Sequence, residues 1–170
     1  MSLKWNYFSK LKILGLDPGL IQTGFGIINV SDNETILIDY GIIKPSPKDK
    51  LANRLFTIYN DVCNIITDFK PQVFAIEDIF YGKNVKSAMR LGQARGASMV
   101  AAASKQIPIY EYSARKVKQS LTGNGNAHKT QVQFMVKAKL QMDHNPEPLD
   151  ASDSLAVALC HDHQFRMADL

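Results

Sequence analysis

The run Ile13-Leu14-Gly15-Leu16 leads straight into Asp17-Pro18-Gly19, and this abrupt change constrains the chain more than any other stretch. An apolar run of this kind reads as a buried strand, and a Pro-Gly pair stops it at once. The carboxylate of Asp17 is left at the strand's tip. A lone aspartate there means little, because Asp opens many turns. A second run, Val73-Phe74-Ala75-Ile76, also ends in an acid, Glu77. That acid either closes a strand at the surface or has a partner. Asp150 and Asp153 lie three apart at the start of an apolar helical pattern, so they share a face.

The rest of the chain supplies the frame. Lys12–Leu16, Phe25–Val30 and Thr35–Ile43 read as strands joined by short turns, which predicts an antiparallel meander. Leu51, Leu55, Ile58, Val62, Ile65, Ile66 and Phe69 recur every three or four residues and predict a long amphipathic helix, stopped before Pro71. Val73–Glu77 is then a short buried strand, and strand–helix–strand order favours a parallel crossover. Val85–Lys105 reads as a helix dense in Ala, Gly, Ser and Met, suited either to packing on the sheet or to a subunit interface. Ile107–Tyr112 is a fifth strand. Gly123-Asn-Gly-Asn126 is a turn able to cap the helix marked by Val132, Met135, Val136 and Leu140. Asp150 to about Phe165 is the last helix, with Ala151, Leu155, Ala158 and Leu159 packing inward. The expected organisation is an N-terminal arm over 1–11, one domain over 12–165 and a loose tail over 166–170.

A chain of 170 residues is long enough for one domain with a real core. Its 45% hydrophobic and 21% charged residues are ordinary globular values. The net charge of +4 permits a polyanionic partner without demanding one. No segment approaches the ~18 apolar residues of a membrane span, and no secretory signal opens the sequence, so no membrane partner is expected. Cys63 and Cys160 lack metal-like spacing and sit in apolar helical patterns, which reads as buried free thiols in a reducing compartment.

Taken singly, Asp17 is a turn residue, Asp150 a helix cap and Asp153 a solvated first-turn acid. Taken with Glu77 they form a candidate anionic basin, costly unless a cation neutralises it. All-oxygen ligands suit Mg²⁺, with Mn²⁺ as a substitute, rather than zinc. Two such ions about 3.5–4 Å apart can clamp a phosphodiester, one activating a water and the other stabilising the leaving 3′ oxygen. Asp17 would be the central ligand. The span Ser113–Met142 has no acid and carries Arg115, Lys116, Lys118, Lys129, Lys137 and Lys139. Lys118 and Lys129 are the candidates for the scissile phosphate or transition-state charge. Phe80 and Tyr81, beside Lys83, form an aromatic pair able to stack on an unpaired base or to act as a local anchor. Lys83, Arg90, Arg115 and Lys116 are candidate backbone-phosphate contacts, and Arg95 is either that or structural.

These residues resemble the RuvC family of Holliday-junction endonucleases. Leu-Gly-Leu-Asp17-Pro-Gly and Phe-Ala-Ile-Glu77-Asp-Ile-Phe80 are similar to its first two catalytic segments. Leu91-Gly-Gln-Ala-Arg-Gly96, Glu111-Tyr-Ser-Ala-Arg-Lys-Val-Lys118-Gln and Leu149-Asp150-Ala-Ser-Asp153-Ser-Leu-Ala resemble its later motifs, in order, from about Lys12 to His163. The resemblance implies an α/β, ribonuclease H-like fold: a mixed five-stranded sheet with helices on both faces. It implies Asp17, Glu77, Asp150 and Asp153 as catalytic metal ligands, Phe80 as a base-stacking residue, and functional roles for Lys118 and Lys129. It further implies a homodimer, with helix 85–105 favoured as the interface. Four-way junction DNA is the implied substrate, branch-migration proteins the implied partners, and the bacterial-type cytoplasm the implied location. Competing readings are a non-cleaving junction scaffold, a general nuclease of the same fold, and an actin-like ATPase lobe. Four acids serve phosphate binding alone poorly, and an actin-like fold usually needs two lobes.

Overall fold

The computed structural model describes residues 11–31, 34–79 and 84–168. Strands β1 (Leu11–Asp17), β2 (Thr23–Val30) and β3 (Thr35–Ile43) form the expected antiparallel meander. Helix α1 (Leu51–Phe69) crosses over to β4 (Val73–Glu77), which lies parallel to β1. Helix α2 (Val85–Ser104) leads to β5 (Ile109–Tyr112), parallel to β4. Helices α3 (Ala114–Thr122), α4 (Lys129–Lys139) and α5 (Leu149–Ala168) complete the chain. The sheet order is β3-β2-β1-β4-β5, so β1 is central and the sheet is mixed, as expected.

Strand alternation divides the core in two. Leu14, Leu16, Ile27, Phe74 and Ile76 face α1 and α2, where they meet Ile58, Val62, Ile66, Ala94 and Ala101. Ile13, Ile28, Val73 and Ala75 face the opposite side, against α3, α4 and α5. Asp17 continues the odd-numbered set of β1, and Glu77 that of β4. The two carboxylates therefore belong to the α5 face, on neighbouring strands whose pairing runs to Leu16 opposite Ile76.

Glycine lets α5 come close. A Cβ on Gly15 would lie 2.2 Å from the Ser154 carbonyl oxygen, and one on Gly24 would lie 1.9 Å from that of Asp150. Gly15 stands opposite Gly26, and Gly24 opposite Asp17, in the β1–β2 register. This flat patch seats the first turns of α5 beside the tip of β1.

Three details depart from the sequence reading. Helix α3 was not foreseen; Ser113 starts it by accepting a hydrogen bond on its Oγ from the Lys116 N–H at 3.2 Å, and Val117 and Leu121 bury one face. The turn at 123–126 does not cap α4. Gly123, at φ 77°, ends α3 instead, with its N–H on the Gln119 carbonyl, and His128 opens α4 with its backbone N–H on Gln131 Oε1 at 2.9 Å. The tail beginning at Arg166 is not loose through that residue. Helix α5 continues to Ala168, because Arg166 pairs with Asp162 at 2.8 Å and donates to the Ser31 carbonyl at 2.7 Å. The expected arm lies outside the described residues except Leu11, which already belongs to β1.

Candidate active site

Asp17 leaves β1 where the sheet's α5 face runs out, and the Pro18-Gly19 turn carries the backbone away from it. Asp150 and Asp153 approach from the first turns of α5. One carboxylate oxygen from each of Asp17, Asp150 and Asp153 lies within 4.8 Å of the others. Glu77 comes alongside from β4. Asp17, Glu77 and Asp153 line a cleft of about 170 Å³ with Lys118, Lys129, Ala114, Val117, Val132 and Ala156. Strand ends thus form the floor, α5 one wall, and α3 and α4 the other.

The electrostatics follow from crowding. Burial, then the charges of Glu77, Asp153 and Asp150, push the Asp17 carboxyl up to about 8, against a smaller opposing effect of Lys129. Burial and the Asp153 charge raise Glu77 to about 7, with Lys129 and Lys118 opposing. Asp17 is thus the carboxylate that feels all three others. Lys129 donates from Nζ to Asp153 Oδ2 at 2.8 Å, and that bond holds its ammonium above the usual lysine range. The donor set is hard oxygen throughout, and its half-buried acids repel one another. That is the environment a divalent cation relieves and binds to.

The structure brings Asp17, Glu77, Asp150, Asp153, Lys118 and Lys129 into one locality. Phe80, Tyr81 and Lys83 lie outside the described residues. Arg90, Arg115 and Lys116 do not line the cleft. Arg90 is exposed on α2, Lys116 is exposed on α3, and the Arg115 side chain lies against Gly125 in the α3–α4 turn.

Two residues at the site carry contacts that the sequence did not disclose. Gln22, in the β1–β2 turn, donates from Nε2 to Asp150 Oδ2. Arg95 reaches from α2 to the ends of two strands. Its Nε donates to the Glu77 carbonyl at 3.1 Å, and its terminal nitrogen meets Glu111 and, at 3.4 Å, Asp78. Arg95 is therefore a brace for the end of β4, which favours the structural reading. The LGQARG motif pointed to this arginine but not to its partners. Gln22 has no signal in the sequence.

The family model described as crossover junction endodeoxyribonuclease RuvC matches residues 13–161. Among curated relatives, the RuvC of Idiomarina loihiensis is 50% identical over 155 residues, covering 89% of this chain and 86% of its own. The RuvC of Halothermothrix orenii is 43% identical over 155 residues, covering 91% and 94%. Among solved structures, Thermus thermophilus RuvC in complex with Holliday junction substrate superposes with a TM-score of 0.88 at 33% identity, covering 93% of this chain and 96% of the other.

Proposed function

Because the chain belongs to the RuvC family of crossover junction endodeoxyribonucleases, we propose that it resolves four-way DNA junctions by hydrolysing one phosphodiester in each of two symmetry-related strands, leaving 5′-phosphate and 3′-hydroxyl ends. The observation that carries this reading is the convergence of Asp17, Glu77, Asp150 and Asp153 from two strand ends and one helix, with two lysines facing them. Asp17, Asp150 and Asp153 would hold a divalent cation, and Glu77 would complete a second site beside Asp17. Mg²⁺ ions, two to a site and replaceable by Mn²⁺, would activate the attacking water and neutralise the leaving oxygen.

The chain's own residues do the rest. The sheet fixes Asp17 and Glu77 side by side, so no reorganisation is needed when a phosphate arrives. Lys118 and Lys129 place ammonium groups in the cleft, where they offset charge that develops on the phosphoryl oxygens. The bond from Lys129 to Asp153 keeps that ammonium within the site. Exposed Arg115 and Lys116 on α3 provide sequence-independent attraction to the DNA backbone.

A four-way junction offers paired strands, and a twofold dimer would present two such clefts to them. Helix α2 supports this reading. It buries Ala94, Ser98, Ala101 and Ala102 against its own subunit and leaves Val85, Met89 and Val100 exposed. Gly96 lies on the exposed side with open space at its Cβ position. The inner face thus packs as one alternative expected, and the exposed outer face supports the proposal of an interface.

The test compares cleavage of a mobile junction, a linear duplex of the same sequence and an RNA–DNA hybrid in Mg²⁺. Junction cleavage should exceed the others by at least about 100-fold, and chelation should stop it. Equal rates on the three substrates would leave a general nuclease of the same fold.

A further inference from the structure

We propose that Gln22 is the positioning residue for Asp150, and that its side-chain amide sets how tightly the acidic site holds a divalent cation. The inference rests on the metal-site reading above and concerns a residue that reading does not use. Gln22 Nε2 donates to Asp150 Oδ2 across 128 residues of sequence. An amide on one carboxylate oxygen fixes the plane of the group and leaves its remaining lone pairs for the cluster with Asp17 and Asp153.

The turn that carries Gln22 is built rigidly. Thr23 is fully buried, and its hydroxyl both donates to the Gly19 carbonyl at 2.7 Å and accepts from the Gly19 N–H at 3.2 Å. A Cβ on Gly19 would lie 2.2 Å from the Gln22 carbonyl oxygen, so the loop closes tightly on itself. Arg54, from α1, donates to the Leu20 carbonyl at 2.7 Å and ties the turn to the other side of the sheet. Gly24, two residues on, touches the Asp150 backbone. Gln22 is therefore held from both ends at a fixed height over the start of α5.

The two α5 aspartates are held differently. Asp153 is held by a charged lysine, and Asp150 by a neutral amide. A second ammonium at Asp150 would compete with an incoming cation, whereas the amide orients without adding positive charge. Partners that orient a ligand in this way typically change metal affinity 10–100-fold when removed.

The experiment titrates Mn²⁺ into the DNA-free full chain by calorimetry and by the electron paramagnetic resonance of free Mn²⁺. Wild type is compared with Gln22→Met, which keeps the side chain's bulk and loses the N–H donors. Gln22→Thr is polar but too short to reach Asp150, and Asp17→Asn marks the site. Both Gln22 variants should bind Mn²⁺ about 10-fold more weakly. In cleavage, they should need correspondingly more metal for half-maximal rate while approaching the wild-type rate at saturation. Unchanged Mn²⁺ affinity in either folded variant overturns the role of Gln22 and leaves the site reading standing. Absence of any wild-type binding that Asp17→Asn abolishes overturns the site reading itself.

Discussion

Asp17 is placed where a carboxylate is least stable as an anion: half-buried, at the tip of the central strand, and within reach of three other acids. Its replacement by Asn keeps shape and hydrogen-bonding capacity and removes one charge from that crowd. In metal-free buffer the Asp17→Asn protein should melt several degrees above wild type, since relief of about 1 kcal/mol moves a chain of this size by roughly 2–4 °C. Junction cleavage should fall on the order of 10³-fold while junction affinity is retained. Calorimetry in chelator and a gel-shift assay check the two halves, and a lower melting temperature would contradict the repulsion account. At this scale the acids were legible because strand alternation and a three-residue helical spacing fix directions from sequence alone. Gln22 was not, because its meaning lies in one contact to a residue 128 positions away. Arg95 was visible in its motif, but its bonds to Glu77, Asp78 and Glu111 depend on how α2 docks across the ends of β4 and β5.

Helix α5 decides whether the site assembles, and it is the element whose sequence conceals most. Its apolar pattern suggested one inward face. In the structure Ala151, Ser152, Ser154 and every residue from Leu155 to His161 are buried, because the helix lies between the sheet and the α3–α4 pair. A helix buried all round loses the periodicity by which amphipathic helices are read. His161 lies within this layer. Its Nδ1 shares a hydrogen bond with the Tyr112 hydroxyl at 2.7 Å, its ring packs on Tyr110 and Phe165, and its buried Nε2 has no hydrogen-bond partner among the described residues. Burial lowers its pKa to about 4 from the ordinary 6.5, with the Asp162 charge opposing. The folded protein thus keeps His161 neutral while the unfolded chain protonates it. Stability from this residue is complete above about pH 6.5 and is lost as pH falls toward 4, by up to about 3 kcal/mol. Urea unfolding at pH 7 and pH 4.5 should show this loss. His161→Phe should be less stable at pH 7 by about 1 kcal/mol, the missing hydrogen bond to Tyr112. Its stability should then decline less steeply between the two pH values, and an equal decline would place the titration elsewhere.

The whole molecule places its acidic cleft and its exposed apolar helix on opposite faces of one sheet. The α5 face supplies the acids and, through α3 and α4, the lysines. The α1–α2 face fills the other core and then presents Val85, Met89 and Val100 outward. That division explains why composition disclosed so little: a net charge of +4 over the whole chain averages away a basic α3–α4 region and the acidic cleft it borders. Apolar side chains spaced along an exposed helix are unfavourable in water and become favourable when a second copy covers them. The LGQARG segment lies on the same helix, so Arg95 braces the end of β4 from the position next to exposed Gly96 and within two turns of exposed Val100. A dimer through α2 would therefore fix the two clefts relative to each other by way of a short rigid path. Val100→Lys puts a charge on that surface without touching the cleft. By analytical ultracentrifugation at micromolar concentration, wild type should sediment as a dimer and the variant largely as a monomer. On a junction closed into a circular plasmid, wild type should make both cuts within one binding event and release linear DNA. The variant should accumulate the singly nicked circle instead. A Val100→Lys protein that stays dimeric and still yields linear product would move the pairing surface off α2.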